Sequence, residues 1–354
     1  MVEWKKLGEV SAFNRGKTIT AKDAVDGDIP VIAGGQTPSY YHNEFNREGE
    51  SITVAGSGAY AGFVSYWNQP IFVSDAFTID PLKGLKHKYL FHWAKMNQEK
   101  IIATQKGAGV PHVHGKDIAN FLIPIPSLSE QQRIVSILDT FTSSISNLKQ
   151  QIEERRKQYE YERDLLLDLE GKEGVEMKKL GDFAEIGTGS SNTQDELESG
   201  RYPFFVRSQI VKWKDDYEFD EIAIITSGDG VGVGKVLHYY EGKYALHQRA
   251  YRIHVENDSI VPKFIFYFMQ KDFYWYIMSN AYAASVTSVR RPMLINYPIP
   301  IPPLSTQSRI VSILDTFEQS ISNLEEQLAM REKQYEYYRN QLLTFEGEEE
   351  RGKT

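Results

Sequence analysis

The chain reads as α/β (α+β): two similar globular domains at opposite ends of a long antiparallel two-helix coiled coil, related by a pseudo-twofold axis. Three observations predict this. The nonapeptide RIVSILDTF occurs at Arg133–Phe141 and again at Arg309–Phe317. It sits inside a gapless repeat in which residues 123–171 match 299–347 at roughly two thirds of positions, the mark of a duplicated unit. Apolar residues in that repeat follow a heptad seam, whereas the stretches between the copies alternate or cluster β-branched and aromatic residues.

Taken in order, a first block (1–126) opens on WKKLGEV at Trp4–Val10, and a second (172–300) opens on the related MKKLGDF at Met177–Phe183. Within them, ESITVAG, QPIFVSDAFTID, EIAIITS and KYALHQRAYRIHV have strand character. LKHKYLFHWAKMNQEKI and VPKFIFYFMQKDFYWYIM have helical spacing at matching places, so the blocks look like diverged copies of one fold. Each block is followed by a predicted helix, in segments 127–171 and 301–347, with a flexible acidic tail at 348–354. The first seam is Ile134, Leu138, Phe141, Ile145, Leu148, Ile152 and Tyr159, with Arg155 and Glu162 at polar places. The second is Ile310, Leu314, Phe317, Ile321, Leu324, Leu328, Arg331 and Tyr335. Prolines at 124, 126, 300, 302 and 303 forbid an earlier start. Ser129 and Ser305 are the expected N-caps, Gln132 would complete a capping box, and Gly171 and Gly347 would mark the ends. About 40 residues at 1.5 Å each give roughly 60 Å, a seam too long for one block to cover. The second block joins the end of helix one to the start of helix two, so helices that pack together must run antiparallel.

With 354 residues and no cysteine, the chain is long enough for two full cores and has no disulfide, thiolate metal site or cysteine nucleophile. No apolar run approaches the roughly 18 residues a membrane span needs, which together with the cysteine count points to a soluble, cytoplasmic protein. The formal charge of −8 argues at first against nucleic acid. However, residues 1–124 hold 13 Lys+Arg against 12 Asp+Glu, and 176–298 hold 14 against 16. The acid concentrates in 125–175 (7 against 10) and 299–354 (6 against 10), so the blocks themselves can carry a basic face.

Catalytic motifs are missing. AGSGAYAGFV (55–64) and SGDGVGVGKV (227–236) are not followed by a helix, and they read as glycine-rich hairpins that permit close approach of a backbone or base. His112 and His114 in PHVHG lack further placed metal ligands, and LHQRAY resembles no triad. The aspartate/asparagine–proline–proline–aromatic signature of amino-methyltransferases does not occur. What remains suits DNA, because Arg, Lys, Asn and Gln read base edges while Ser, Thr and backbone N–H groups hold phosphates. Candidates in the first block are Arg15, Lys17, Gln36, Tyr40, His42, Gln105, Lys106 and His112. In the second they are Asn192, Arg207, Gln209, Lys235, Gln248, Arg249, Arg290 and Arg291.

Two variable blocks, each followed by IPIPxLSxQxRIVxILD and a long helix, resemble the specificity subunit of type I restriction–modification systems across essentially the whole chain. The resemblance implies two target recognition domains, each reading half of a split DNA site, with the helices as a ruler that docks two modification subunits. Two restriction subunits would complete the enzyme. This chain would be non-catalytic and bind no cofactor or metal, while S-adenosylmethionine, ATP and magnesium would sit on the partners and methylation would fall on adenine N6. The alternative is an autonomous sequence-specific DNA-binding protein without methyltransferase partners, which would bind tightly when alone.

Overall fold

The computed structural model describes residues 2–281 and 288–345; the acidic tail and Gly347 lie outside them. Two compact units emerge, one comprising residues 1–150 and 325–354, the other 151–324. Each therefore holds the start of one long helix and the end of the other.

In the first unit the elements are β1 (Glu3–Lys6), α1 (Leu7–Val10), β2 (Ser11–Arg15), β3 (Ile29–Ile32), β4 (Tyr40–His42), β5 (Glu50–Ala55), β6 (Val64–Asn68), β7 (Phe72–Val73) and β8 (Ala76–Pro81). Then come α2 (His87–Met96), α3 (Gln98–Ile102), α4 (Gly115–Ile118), β9 (Leu122–Ile125) and the start of α5 (Leu128–Leu166). The second unit holds β10 (Glu176–Lys179), β11 (Ala184–Thr188), β12 (Tyr202–Phe205), β13 (Lys212–Lys214), β14 (Phe219–Ser227), β15 (Leu237–Leu246) and β16 (Ala250–Val255). It continues with α6 (Pro262–Ala281), α7 (Arg291–Ile295), β17 (Pro298–Ile301) and the start of α8 (Leu304–Leu343).

The topology repeats. Sheet β2-β8-β5-β6 has the order of β11-β16-β14-β15, and β4-β3-β7 that of β13-β12-β15. The second unit's ten-residue β15 does the work of β6 and β7 together, which joins its strands into one six-stranded sheet. Each opening strand pairs antiparallel with the proline strand that ends its block, β1 with β9 and β10 with β17. Two stretches of strand character are interrupted. QPIFVSDAFTID breaks between β7 and β8, where Ser74 N–H donates to the Ile32 carbonyl at 2.8 Å; KYALHQRAYRIHV breaks between β15 and β16, where His247 N–H donates to Phe205 at 2.9 Å. In both, the break follows a stretch paired parallel to a neighbouring strand, β7 with β3 and β15 with β12.

The repeat's glutamine explains the proline-to-helix junction. Gln131 is fully buried; its Oε1 accepts Lys86 N–H at 2.9 Å, and its Nε2 donates to the carbonyls of Gly84 (2.9 Å) and Pro126 (3.0 Å). Gln307, also fully buried, accepts Val261 N–H at 2.8 Å and donates to Ser259 (3.1 Å) and Pro302 (2.8 Å). In each case the amide satisfies an orphan donor at the start of the block's own helix, α2 or α6, and ties it to the start of the long helix.

The aspartate of RIVSILD acts similarly. Asp139 accepts from Lys88 (2.6 Å) and contacts His92 (3.1 Å), whose other ring nitrogen meets the Tyr335 hydroxyl at 3.0 Å. Asp315 accepts from Lys263 at 2.8 Å and from Tyr267 at 2.5 Å, and Tyr267 also donates to Glu318 at 2.9 Å. Burial pushes the Asp139 carboxyl up, but the bonds from His92 and Lys88 outweigh it and hold the carboxyl below its ordinary value. Burial chiefly depresses His92, against the pull of Asp139, so its ring stays neutral.

Within the first unit α5 and α8 run antiparallel: Phe141 stacks on Tyr338 at 5.2 Å, and Lys149 pairs with Glu332 at 3.0 Å. The second unit repeats this, with Tyr159 beside Phe317 at 6.5 Å. Ile134 and Leu138 belong to the first block's core, as Ile310 and Leu314 do to the second's. The remaining seam residues, Ile145, Leu148, Ile152, Ile321, Leu324, Leu328 and Tyr335, are buried or half-buried. The polar seam places are not wasted: Arg155 lies over the Phe317 ring at 5.8 Å, and Arg331 over Phe141 at 5.7 Å.

Two expectations about the helix ends need correction. The helices begin at Leu128 and Leu304, so Ser129 and Ser305 are inside the first turn. Ser127 Oγ accepts Glu130 N–H at 3.3 Å, while Gln132 bonds Ser136 instead of closing a capping box. Pro303 stands where Ser127 would in the second copy, and its carbonyl accepts Thr306 N–H at 2.8 Å. At the other end, α5 stops at Leu166, five residues short of Gly171, because Leu167 and Leu169 are both buried in the second unit's core. Gly171 (φ +71°) serves the turn beyond.

Candidate nucleic-acid interface

The glycine segments are the loops of two antiparallel hairpins, β5–β6 and β14–β15. Gly58 (φ +84°) and Gly62 (φ +88°) match Gly230 (φ +84°) and Gly234 (φ +70°), so both loops need the left-handed region at the same two places. Each loop is pinned alike. Gly56 N–H donates to the Asp75 carbonyl at 3.0 Å, and Gly228 N–H to the Arg249 carbonyl at 2.8 Å. Val113 N–H then donates to Gly56, and Val289 N–H to Gly228, with bridges Ser57–His112 and Asp229–Ser288 alongside. Position by position, Ser57 corresponds to Asp229 and Asp75 to Arg249.

In the first unit this junction opens into a cleft of about 230 Å³ whose lining includes Arg15, Asp75, His112, His114 and Lys116. The His112 and His114 rings stack nearly parallel, 6.2 Å apart. Asp75 bonds the Ser57 hydroxyl. Lys106 is exposed beside the cleft and pairs with Asp117, a bond that with the Lys106 charge holds the Asp117 carboxyl down. The other first-block candidates lie elsewhere. Lys17 and Gln36 are exposed, while Tyr40 is half-buried and donates its hydroxyl to Ile19 at 2.7 Å. His42 is buried and accepts Val25 N–H at 3.1 Å, and the Gln105 amide donates to Ala61 within the glycine loop at 2.8 Å. These bonds turn His42 and Gln105 inward.

In the second unit Asp229 sits between two arginines, accepting from Arg207 at 2.6 Å and Arg249 at 3.4 Å. Behind them His247 is 3% exposed. Burial, then the charges of Arg207 and Arg249, depress its imidazole, and the neutral ring's Nδ1 accepts Arg249 N–H at 3.0 Å. Gln248 bonds Asn192. Gln209 is exposed, and Lys235 lies over the Tyr274 ring at 5.2 Å. Arg290 and Arg291 are exposed where α7 begins, two residues beyond Ser288. The structure thus gathers Arg15 with His112, Arg207 with Arg249, and Asn192 with Gln248. The sequence candidates did not include Asp75, Ser57 or Asp229, since no carboxylate was among the residue types sought; the carboxylate within SGDG was the available signal. Among the described residues no group of three His, Asp or Glu is placed to hold a metal ion, and no helix is long and apolar enough to cross a membrane.

The family model of the type I restriction modification DNA specificity domain matches twice, over residues 1–155 and 172–330. The chain belongs to that family. A putative type I restriction enzyme specificity subunit of Haemophilus influenzae is 28% identical over 97% of this chain and 96% of its own length. The EcoR124I/EcoR124II specificity subunit of Escherichia coli is 27% identical over 97% and 94%. The crystal structure of a type I restriction–modification S subunit from M. genitalium superposes with a TM-score of 0.73 at 18% identity, covering 97% of both chains, and so shares the fold. As a specificity-family member the chain is a non-catalytic recognition component with two recognition domains, and the paired glycine-loop junctions are equivalent parts of those domains.

Proposed function

We propose that this chain reads a bipartite, gapped DNA target, one half-site per recognition domain, and docks two modification subunits for N6-adenine methylation. With two restriction subunits the complex would cleave unmodified DNA. S-adenosylmethionine, ATP and magnesium would be held by the partners, and the complex would work in the cytoplasm. The observation that carries this is the contrast within one duplication. The glycine-loop junctions share a backbone and hydrogen-bond scheme but differ in their side chains, as two readers of different bases must. The helix starts and their Gln131 and Gln307 anchors are the same twice, as suits two identical partners. Exposed Tyr161 and Tyr337 occupy equivalent repeat positions on those helices and are natural contacts for such a partner. Helices of 39 and 40 residues, roughly 60 Å at 1.5 Å per residue, suit a ruler for half-sites a turn apart.

The test is long-read sequencing of DNA from a methylation-free host expressing this chain with its cognate modification subunit. A new N6-adenine mark at a gapped motif, lost without this chain, is expected. A soluble, co-purifying complex that leaves no mark would overturn the reading.

A further inference from the structure

The two glycine-loop junctions hold side chains of opposite hydrogen-bonding character at one structural position. In the second domain that position is Arg249, 60% exposed, with one guanidinium donor engaged by Asp229. Asp229 is itself fixed by Arg207 at 2.6 Å. An arginine has five donors in a planar fork, so anchoring one of them leaves the others for a ligand and reduces the entropy lost on binding. In the first domain the same position is Asp75, which has only acceptors when ionised and whose Oδ2 is engaged by the Ser57 hydroxyl. Asp75 is the only carboxylate lining its cleft among the described residues; around it stand Arg15, Lys116, His112 and His114. A carboxylate facing DNA is repelled by phosphate but accepts well from a base that donates to it, and with Oδ2 held by Ser57 the Asp75 Oδ1 is the atom left to do so. In the major groove cytosine N4 is the donor that Asp takes, while Arg takes the O6 and N7 acceptors of guanine.

We infer that Asp75 and Arg249 are equivalent specificity-determining residues, Asp75 reading a cytosine in one half-site and Arg249 a guanine in the other. Asp229 is a positioning residue that acts through Arg249. This rests on the DNA-reading function proposed above and extends it to named bases.

The assay is the initial methylation rate of the assembled chain–modification complex on duplex libraries randomised at one position at a time. A wild-type complex that marks no motif would refute the proposed function itself; with a wild-type motif in hand, only the base assignments are at stake. Asparagine and glutamine pair with adenine. Arg249→Gln should therefore shift one G·C position of one half-site towards A·T, and Asp75→Asn one C·G position of the other half-site towards A·T. Each change in preference should be roughly tenfold or more, with the preferences at the half-site read by the unaltered domain unchanged. Asp229→Asn should keep guanine preferred at the Arg249 position but weaken that preference without altering its neighbours. A uniform loss across all positions of both half-sites, or a shift at a position that is A·T in the wild type, would overturn the assignment. If a variant complex proves inactive, competition binding of the same libraries gives the readout, and unchanged preferences there would equally overturn it.

Discussion

Replacing Gln131 by Ala tests whether the repeat's glutamine is the bolt between the first block and its long helix. The side chain is fully buried and makes three hydrogen bonds to main-chain groups: Lys86 N–H, and the carbonyls of Gly84 and Pro126. At about 1 kcal/mol net for each bond, and about 0.8 kcal/mol for the lost buried methylene, the first unit should be destabilised by about 3–4 kcal/mol. For a domain of this size about 2–4 °C per kcal/mol applies, so the transition containing the first unit should fall by roughly 10 °C. Gln131→Glu should do at least as badly despite its matched shape, because it exchanges a double donor for a carboxylate facing two carbonyls. Differential scanning calorimetry is the appropriate assay, since two units can unfold in separate transitions. Gln132→Ala is the control: Gln132 is exposed and bonds only the Ser136 side chain, so it should change stability by no more than about 0.5 kcal/mol. A Gln131→Ala loss no larger than that of the control would refute the reasoning.

The His92–Asp139–Tyr335 cluster makes the first unit acid-sensitive. Burial depresses His92 below its ordinary 6.5, so the unfolded chain takes up a proton that the folded one resists, and stability should fall as pH drops through 6.5. Asp139, also held down, would add its loss at lower pH. His92→Tyr, which imports the second unit's Tyr267, should flatten the first part of that decline in a melting-temperature series; a wild-type stability that rises below pH 6.5 would contradict this. Gly58→Ala should cost about 1 kcal/mol for its positive φ alone, since a Cβ there meets nothing within 4 Å. Gly62→Ala should cost more, because its Cβ would press on the Ile102 backbone at 3.2 Å; equal losses in denaturant unfolding would remove that steric argument.

The duplication and both heptad seams were legible in the chain alone, because a gapless repeat and a period of apolar residues are local properties, and the connectivity of the blocks then required the helices to pair antiparallel. The sequence also marked the glycine loops, whose positive-φ positions only glycine fills without strain. The IPIPxLSxQxRIVxILD motif, repeated after each block, carried it on to the family. Helix ends were misplaced by a few residues because burial, invisible locally, decided them: Leu167 and Leu169 leave α5 to enter a core built largely from residues more than fifty positions away. The role of Gln131 was likewise hidden, since its partners at 84 and 86 are brought to it by the packing of α2. The recognition junction was the least legible part. Asp75 and Arg249 differ in charge and stand in loops of different length, and only the shared bond from Gly56 or Gly228 to their carbonyls reveals them as one position. That equivalence is a fact of backbone geometry, which the tertiary structure alone could supply.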